Sequence, residues 1–298
     1  MAIKNFDELI AKVKGNGKKT VALVGATDDH ALEAVIHAKD IVNAVLIGNP
    51  DDVVLKLKEH GEDPQHYEIV PTEEGVHPAV TAANLIHEGR ADFIMKGKIL
   101  SSELLHGVLM KEANLRVEGQ LMSHMIMAEV PNYHKLLCVT DGGMVTYPDL
   151  DKKIQIVTNA VNFFHRLGYE RPNVAALCVA EVVSPKQPET VHGAELKRMS
   201  LAGELPNCYV EGPISYDLAM VPEISKIKEF DCPCAGDFDI LLVPEVVCGN
   251  ALGKAFVYTC GGRMAGIILG CKVPIVLTSR GSSADEKYYS LALCAGVC

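Results

Sequence analysis

Between Thr278 and Glu286 the chain places two adjacent acids, an arginine and four hydroxyls directly after the apolar run Val273-Pro274-Ile275-Val276-Leu277. Ser283-Ala284-Asp285-Glu286 fits the S-x-x-E capping box, in which the Ser hydroxyl and the Glu carboxyl satisfy each other's backbone N–H groups at a helix start. Asp285 then falls in the first turn, where the helix dipole favours a carboxylate. Ser279 and Arg280 are left without a structural duty. An arginine at a strand end beside a helix N-terminus offers a fork of donors that suits phosphate. A surface arginine paired with a neighbouring acid explains the same stretch equally well.

Three further polar clusters also follow apolar runs: Met95-Lys96-Gly97-Lys98, Thr140-Asp141-Gly142-Gly143, and Glu245 to Gly249-Asn250. In open parallel sheets ligands bind beyond the carboxyl ends of strands, where loops and helix N-termini converge. Several familiar patterns fail. Gly249 to Gly253-Lys254-Ala255 has three residues between its glycines and Ala after the lysine, whereas a P-loop needs four and then Ser or Thr. Val24-Gly25-Ala26-Thr27-Asp28 lacks the glycines of a dinucleotide fingerprint. Ser123 and His124 adjoin, so on a strand they point to opposite faces and form no dyad by themselves. His124 reads equally as a structural residue.

The ten cysteines include the close pair Cys232-Pro233-Cys234 and the pair Cys294 and Cys298, with no C-x2-C and no histidine at zinc-like spacing. No metal site is expected, and the thiols are expected to be reduced and mostly buried.

These clusters need strands to carry them. The runs at 20–26, 44–48, 92–97, 134–141, 173–179, 239–245, 264–270 and 273–279 are near-continuous and apolar, and helical patterns lie between them. That alternation indicates mostly parallel sheets covered by helices on both faces, an α/β chain. In 149–168, Ile154, Val157, Val161, Phe164 and Leu167 form one stripe, predicting an amphipathic helix that ends at Gly168. A length of 298 residues suits two lobes, and the chain is expected to divide into residues 1–127 with 268–298 and residues 128–267.

The formal charge of −10, with no basic block, speaks against nucleic acid or an anionic membrane as partner. The N-terminus has no signal-peptide core, and no apolar stretch reaches about 18 residues, so a cytoplasmic location is expected.

Taken together, 91–116, 121–131, 137–161, 184–196, 211–219, 234–256 and 264–294 resemble the phosphate acetyl/butyryl-transferase family, and phosphate butyryltransferases in particular. The run VPIVLTSR with the acids that follow is the most specific of these segments. The resemblance implies reversible transfer of a short-chain acyl group between coenzyme A and inorganic phosphate, with no metal and no covalent enzyme intermediate. It implies two lobes similar to the isocitrate/isopropylmalate dehydrogenase fold, an active site in the interdomain cleft, and a homodimer or higher oligomer. Coenzyme A, acyl-CoA and phosphate would be substrates, with no tightly bound cofactor.

Ser279 and Arg280 fall on the family's catalytic pair and Arg116 on its second arginine; the catalytic acid falls at Asp285 or Glu286, with Asp285 the candidate base. Cations that grip phosphate against a thioester supply positioning and charge stabilisation, and Lys96 is a third candidate for that duty. Ser123, His124, Thr140, Asp141, Gly142, Asn250 and Glu286 are expected to bind substrate. Where butyryltransferases read R-T-G, this chain has Arg116-Val117-Glu118-Gly119, which leaves the acyl preference open. Two alternatives are a non-catalytic CoA-binding paralogue and a dicarboxylate dehydrogenase, the latter needing a metal-binding acid set and a cofactor loop that the sequence does not display.

Overall fold

The computed structural model describes residues 2–279 and 281–298. Two compact units divide the chain: Phe6–Gln120 with Ala265–Cys298, here the first unit, and Met1–Asn5 with Leu121–Met264, the second.

From the N-terminus the first unit alternates helix and strand: α1 (Phe6–Lys14), β1 (Lys19–Val24), α2 (Asp29–His37), β2 (Val42–Ile47), α3 (Pro50–Glu59), β3 (Glu68–Val70), α4 (Pro78–His87), β4 (Phe93–Lys96) and α5 (Ser101–Leu109). Val21 to Val24 are fully buried, as a parallel strand covered on both faces requires. The helices start where short polar side chains can satisfy free N–H groups. Asp28 accepts from Ala31 N at 2.8 Å to cap α2, and Asn49 accepts from Asp51 N at 3.0 Å to cap α3.

The second unit follows with β5 (Ser123–Glu129), β6 (Leu137–Thr140), α6 (Leu150–Arg166), β7 (Asn173–Leu177), α7 (Pro188–Ala202), β8 (Tyr209–Ile214), α8 (Tyr216–Met220), α9 (Pro222–Ile227), β9 (Ile240–Leu242) and α10 (Val246–Tyr258). Its strands lie in the order β5-β6-β9-β7-β8. β5 and β6 pair antiparallel, while β6–β9, β9–β7 and β7–β8 pair parallel. Val139, Leu218, Phe238, Leu241 and Phe256 are among its core residues.

Helix α6 appears where the stripe predicts it, capped by Asp149, with Val157, Val161, Phe164 and Leu167 of the stripe buried and the buried face wider than the stripe. Lys153 and Ile156 are buried, whereas Ile154 is half-buried. At the edge of this core Lys135 is 3% exposed and forms ion pairs with Asp237 and Asp239, each at 2.8 Å.

The chain then returns through β10 (Arg263–Leu269), β11 (Ile275–Val276) and α11 (Ala284–Ala295). The strands of the first unit lie in the order β3-β2-β1-β4-β11-β10. β1–β2, β2–β3, β1–β4 and β4–β11 pair parallel and β10–β11 antiparallel. The sheets are thus mostly parallel, as expected, and strand order switches direction between β1 and β4.

All ten cysteines are free thiols, as expected, but fewer are fully buried than expected. Cys138, Cys208, Cys234 and Cys294 are buried, four more are half-buried, and Cys260 and Cys298 are exposed. Among the described residues no helix is long and apolar enough to cross a membrane.

Candidate functional site

The turn from β11 into α11 carries a polar network. Ser279 is exposed; its carbonyl accepts from Ser282 N at 3.1 Å, and its hydroxyl accepts from Gly281 N at 3.4 Å. Arg280 lies outside the described residues. Ser283 caps α11 as expected, accepting from Glu286 N at 3.2 Å. The Glu286 carboxylate, expected to complete a reciprocal cap, instead accepts from the Ser282 hydroxyl at 2.6 Å.

That difference separates the two adjacent acids. Asp285 is exposed to solvent. Glu286 is largely shielded, and burial raises its pKa above the usual carboxylate value, against the opposing pull of Ser282 and Lys287. A carboxyl raised by desolvation is a stronger base than its solvated neighbour.

Lys287, which the sequence reading passed over, is 3% exposed and donates to Thr278 Oγ1 at 3.2 Å. Burial lowers its pKa, and the charges of Asp28 and Glu286 partly offset this. A helical period finds it: Lys287, Ser290, Leu291 and Cys294, at i, i+3, i+4 and i+7, are all buried. Ser290 ties the same face to the sheet, accepting from Gly266 N at 2.9 Å and donating to Glu286 O at 2.7 Å.

Beside this turn, the loops after β1 and β4 meet at the switch in strand order. Gly97 N donates to Val24 O and Lys98 N to Gly25 O, both at 2.8 Å. Gly25, at φ +73°, lies so close that an added Cβ would stand 2.8 Å from Lys98 O. The loops border a pocket of about 670 Å³ that Asp28, Lys56, Lys96, Lys98 and Glu103 help to line. Lys56 is engaged there by Asp29 and Glu59, each at 2.9 Å. Lys96 donates to Gly97 O at 3.4 Å. Arg116 stands apart from this pocket's lining, exposed on a stretch that bridges antiparallel to Cys271.

In the second unit Thr140, Asp141, Gly142, His124 and Asn250 come together. The Asp141 carboxylate is 2% exposed and accepts from three backbone N–H groups: His124 at 2.9 Å, Gly143 at 2.8 Å and Met144 at 2.7 Å. Thr140 Oγ1 donates to His124 O at 3.0 Å, and Asn250 Nδ2 to Gly142 O at 3.2 Å. Asp141 therefore builds its loop, and the backbone it orders is what the loop presents. An added Cβ on Gly249 would fall 2.7 Å from Asp141 O, and one on Gly143 would fall 2.8 Å from His124 Nδ1.

Ser123 points the other way, as the strand alternation requires, and its buried hydroxyl accepts from Asn159 Nδ2 at 2.9 Å. The P-loop look-alike lies inside α10, whose N-terminus is closed by Glu245 accepting from Val247 N at 2.7 Å and Cys248 N at 2.8 Å. Among the described residues no group of three or more His, Cys, Asp or Glu could hold a metal ion.

Comparison with known proteins gives one consistent result. The phosphate acetyl/butaryl transferase family model matches residues 70–295. The chain is 40% identical over 295 residues to phosphate butyryltransferase of Clostridium acetobutylicum, covering 98% of each chain. It is 36% identical to phosphate acetyltransferase of Thermotoga maritima, covering 97% of this chain and 98% of that one. A solved branched-chain phosphotransacylase from Enterococcus faecalis superposes with a TM-score of 0.81 at 30% identity, covering 94% of this chain and 99% of its own.

Proposed function

Because the chain belongs to the phosphate acetyl/butyryl transferase family, we propose that it is an acyl-CoA:phosphate acyltransferase, moving a short acyl group reversibly between coenzyme A and inorganic phosphate. The observation that carries this is the likeness to relatives of one reaction class over 98% of the chain. Neither a dicarboxylate dehydrogenase nor a non-catalytic paralogue is favoured by these relatives.

In the direction of thioester synthesis the CoA thiol gives up its proton, its sulfur attacks the acyl carbon of the acyl phosphate, and the carbon–oxygen bond to phosphate breaks. Glu286 is the base of this reading. Burial raises its pKa above the usual carboxylate value, which makes it the better proton acceptor, whereas the neighbouring Asp285 is exposed. Lys287, next to Glu286, is buried and donates to Thr278 Oγ1 within the same network.

Arg280 and Arg116 bind the phosphate and the developing oxyanion, with Lys96 a further cation and Ser279 a hydrogen-bonding partner for sulfur or oxygen. The ordered backbone around Asp141 and Gly142, with His124, Thr140 and Asn250, contributes substrate contacts from the second unit. Ser123, bonded to Asn159 in the interior, supports that strand. An isocitrate/isopropylmalate dehydrogenase-like architecture, a site drawing on both units, a homodimer and a cytoplasmic location complete the proposal, and family membership is their support. Coenzyme A and phosphate act as substrates, with no tightly bound cofactor.

The test is consumption of CoA thiol by the purified chain in the presence of acetyl, butyryl or branched-chain acyl phosphate. Thioester formation from at least one supports the reading and ranks the acyl groups. No consumption with any of the three overturns it.

A further inference from the structure

The acyl-transfer reading gives no task to Cys232-Pro233-Cys234, which lies between α9 and β9. Cys232 O accepts from Ala235 N at 3.3 Å, closing a four-residue turn with Pro233 in its second position. The turn holds Cys232 Sγ 3.9 Å from Cys234 Sγ.

The two sulfurs have unequal surroundings. Cys234 is 7% exposed and belongs to the core cluster with Phe238 and Leu218. Cys232 is half-buried and lines a pocket of about 430 Å³ with Lys226, Phe230 and Ala235. One thiol is therefore within reach of a small solvent-borne reagent, and the other waits behind it. The proton is shared unequally as well. The contact between the two sulfurs lowers the Cys232 pKa, while that contact and burial raise the pKa of Cys234. The charged groups acting on the pair are Glu211 and Asp237, which oppose ionisation, and Lys197, 2.6 Å from Glu211, which favours it at Cys232.

We propose that Cys232 and Cys234 form a reversible dithiol–disulfide site oxidised by hydrogen peroxide. The Cys232 thiolate attacks a peroxide oxygen and the O–O bond breaks, leaving Cys232 as a sulfenic acid and releasing one water after protonation. Cys234 sulfur then attacks Cys232 sulfur. The S–S bond forms, the S–O bond breaks, and a second water leaves with the Cys234 proton. Two thiols are oxidised and one peroxide is reduced to two waters. The sulfurs must close from 3.9 Å to about 2.05 Å. A disulfide across so short a loop is strained and therefore easily reduced by an external dithiol.

Cleavage before Asp231 and Asp237 releases residues 231–236, which contain these two cysteines and no other. The full-length protein is treated with a few-fold excess of hydrogen peroxide, unfolded in N-ethylmaleimide, cleaved and weighed. The expected peptide is lighter by two hydrogens and carries no maleimide; prior treatment with dithiothreitol restores two adducts. Two adducts persisting at a dose that oxidises the exposed Cys260 would overturn the proposal, as would a sulfinic acid at Cys232 beside a fully labelled Cys234. In Cys232→Ser, Cys234 should stay fully labelled at the same dose, and its oxidation there would overturn the assignment of Cys232 as the attacked thiol.

Discussion

Asp285 and Glu286 are neighbours in sequence with opposite surroundings, and burial is what separates them. Solvent covers Asp285, while Glu286 is shielded and bonded to Ser282 at 2.6 Å. Glu286→Gln is expected to lower turnover by roughly 10²–10⁴-fold, the usual worth of a general base, and Asp285→Asn by much less. Comparable losses in both variants would remove Glu286 from the role. The pKa shift adds a pH signature. The folded chain binds more proton at Glu286 than the unfolded chain between the ordinary value and the raised one, so wild-type stability falls as pH rises through that window. Gln does not titrate. The melting temperature of Glu286→Gln relative to wild type should therefore rise with pH across the window, and a flat difference would show that Glu286 is not shifted.

Elements hold these groups through close backbone approaches. Gly249, at the start of α10, abuts Asp141 O, and backbone cannot swing aside as a side chain can. Gly249→Ala should displace the 141–143 loop, lowering both activity and thermal stability; an unperturbed variant would mean that the loop is not held there. Lys135 sustains the entry to β9 by pairing with two acids. Lys135→Met leaves Asp239 buried without its cation, and unfolding in denaturant should reveal a loss of about 3–5 kcal/mol. A loss below about 1 kcal/mol would contradict that account.

The sequence made most of the parallel strands legible, because runs such as 20–26 and 173–179 are apolar without a break. β8 was hidden by Glu211 and Pro213 within Tyr209–Ile214. Glu211 is buried there because Lys197 and the Tyr209 hydroxyl both bond it at 2.6 Å. β3 escaped because its three residues are only half-buried or exposed. At the candidate site the capping serine was readable from spacing. The partner of Glu286 was not, since a one-residue difference between Ser282 and Ser283 is a matter of turn geometry.

For the molecule as a whole, an excess of acidic residues sets the background against which anionic substrates are bound. A formal charge of −10 repels phosphate and coenzyme A at long range, so local cations must carry recognition. In the proposed function that duty falls to Arg280, Arg116 and Lys96. Family membership then says which chemistry the cations serve.

The most direct test of this account is release of free CoA thiol from acetyl-, propionyl-, butyryl- and longer acyl-CoAs, measured with and without inorganic phosphate, with Arg280→Ala alongside. The account predicts release that requires phosphate, favours a short acyl chain and collapses in the variant. Release at the same rate without phosphate, or none from any acyl-CoA while the chain still binds CoA, would contradict it.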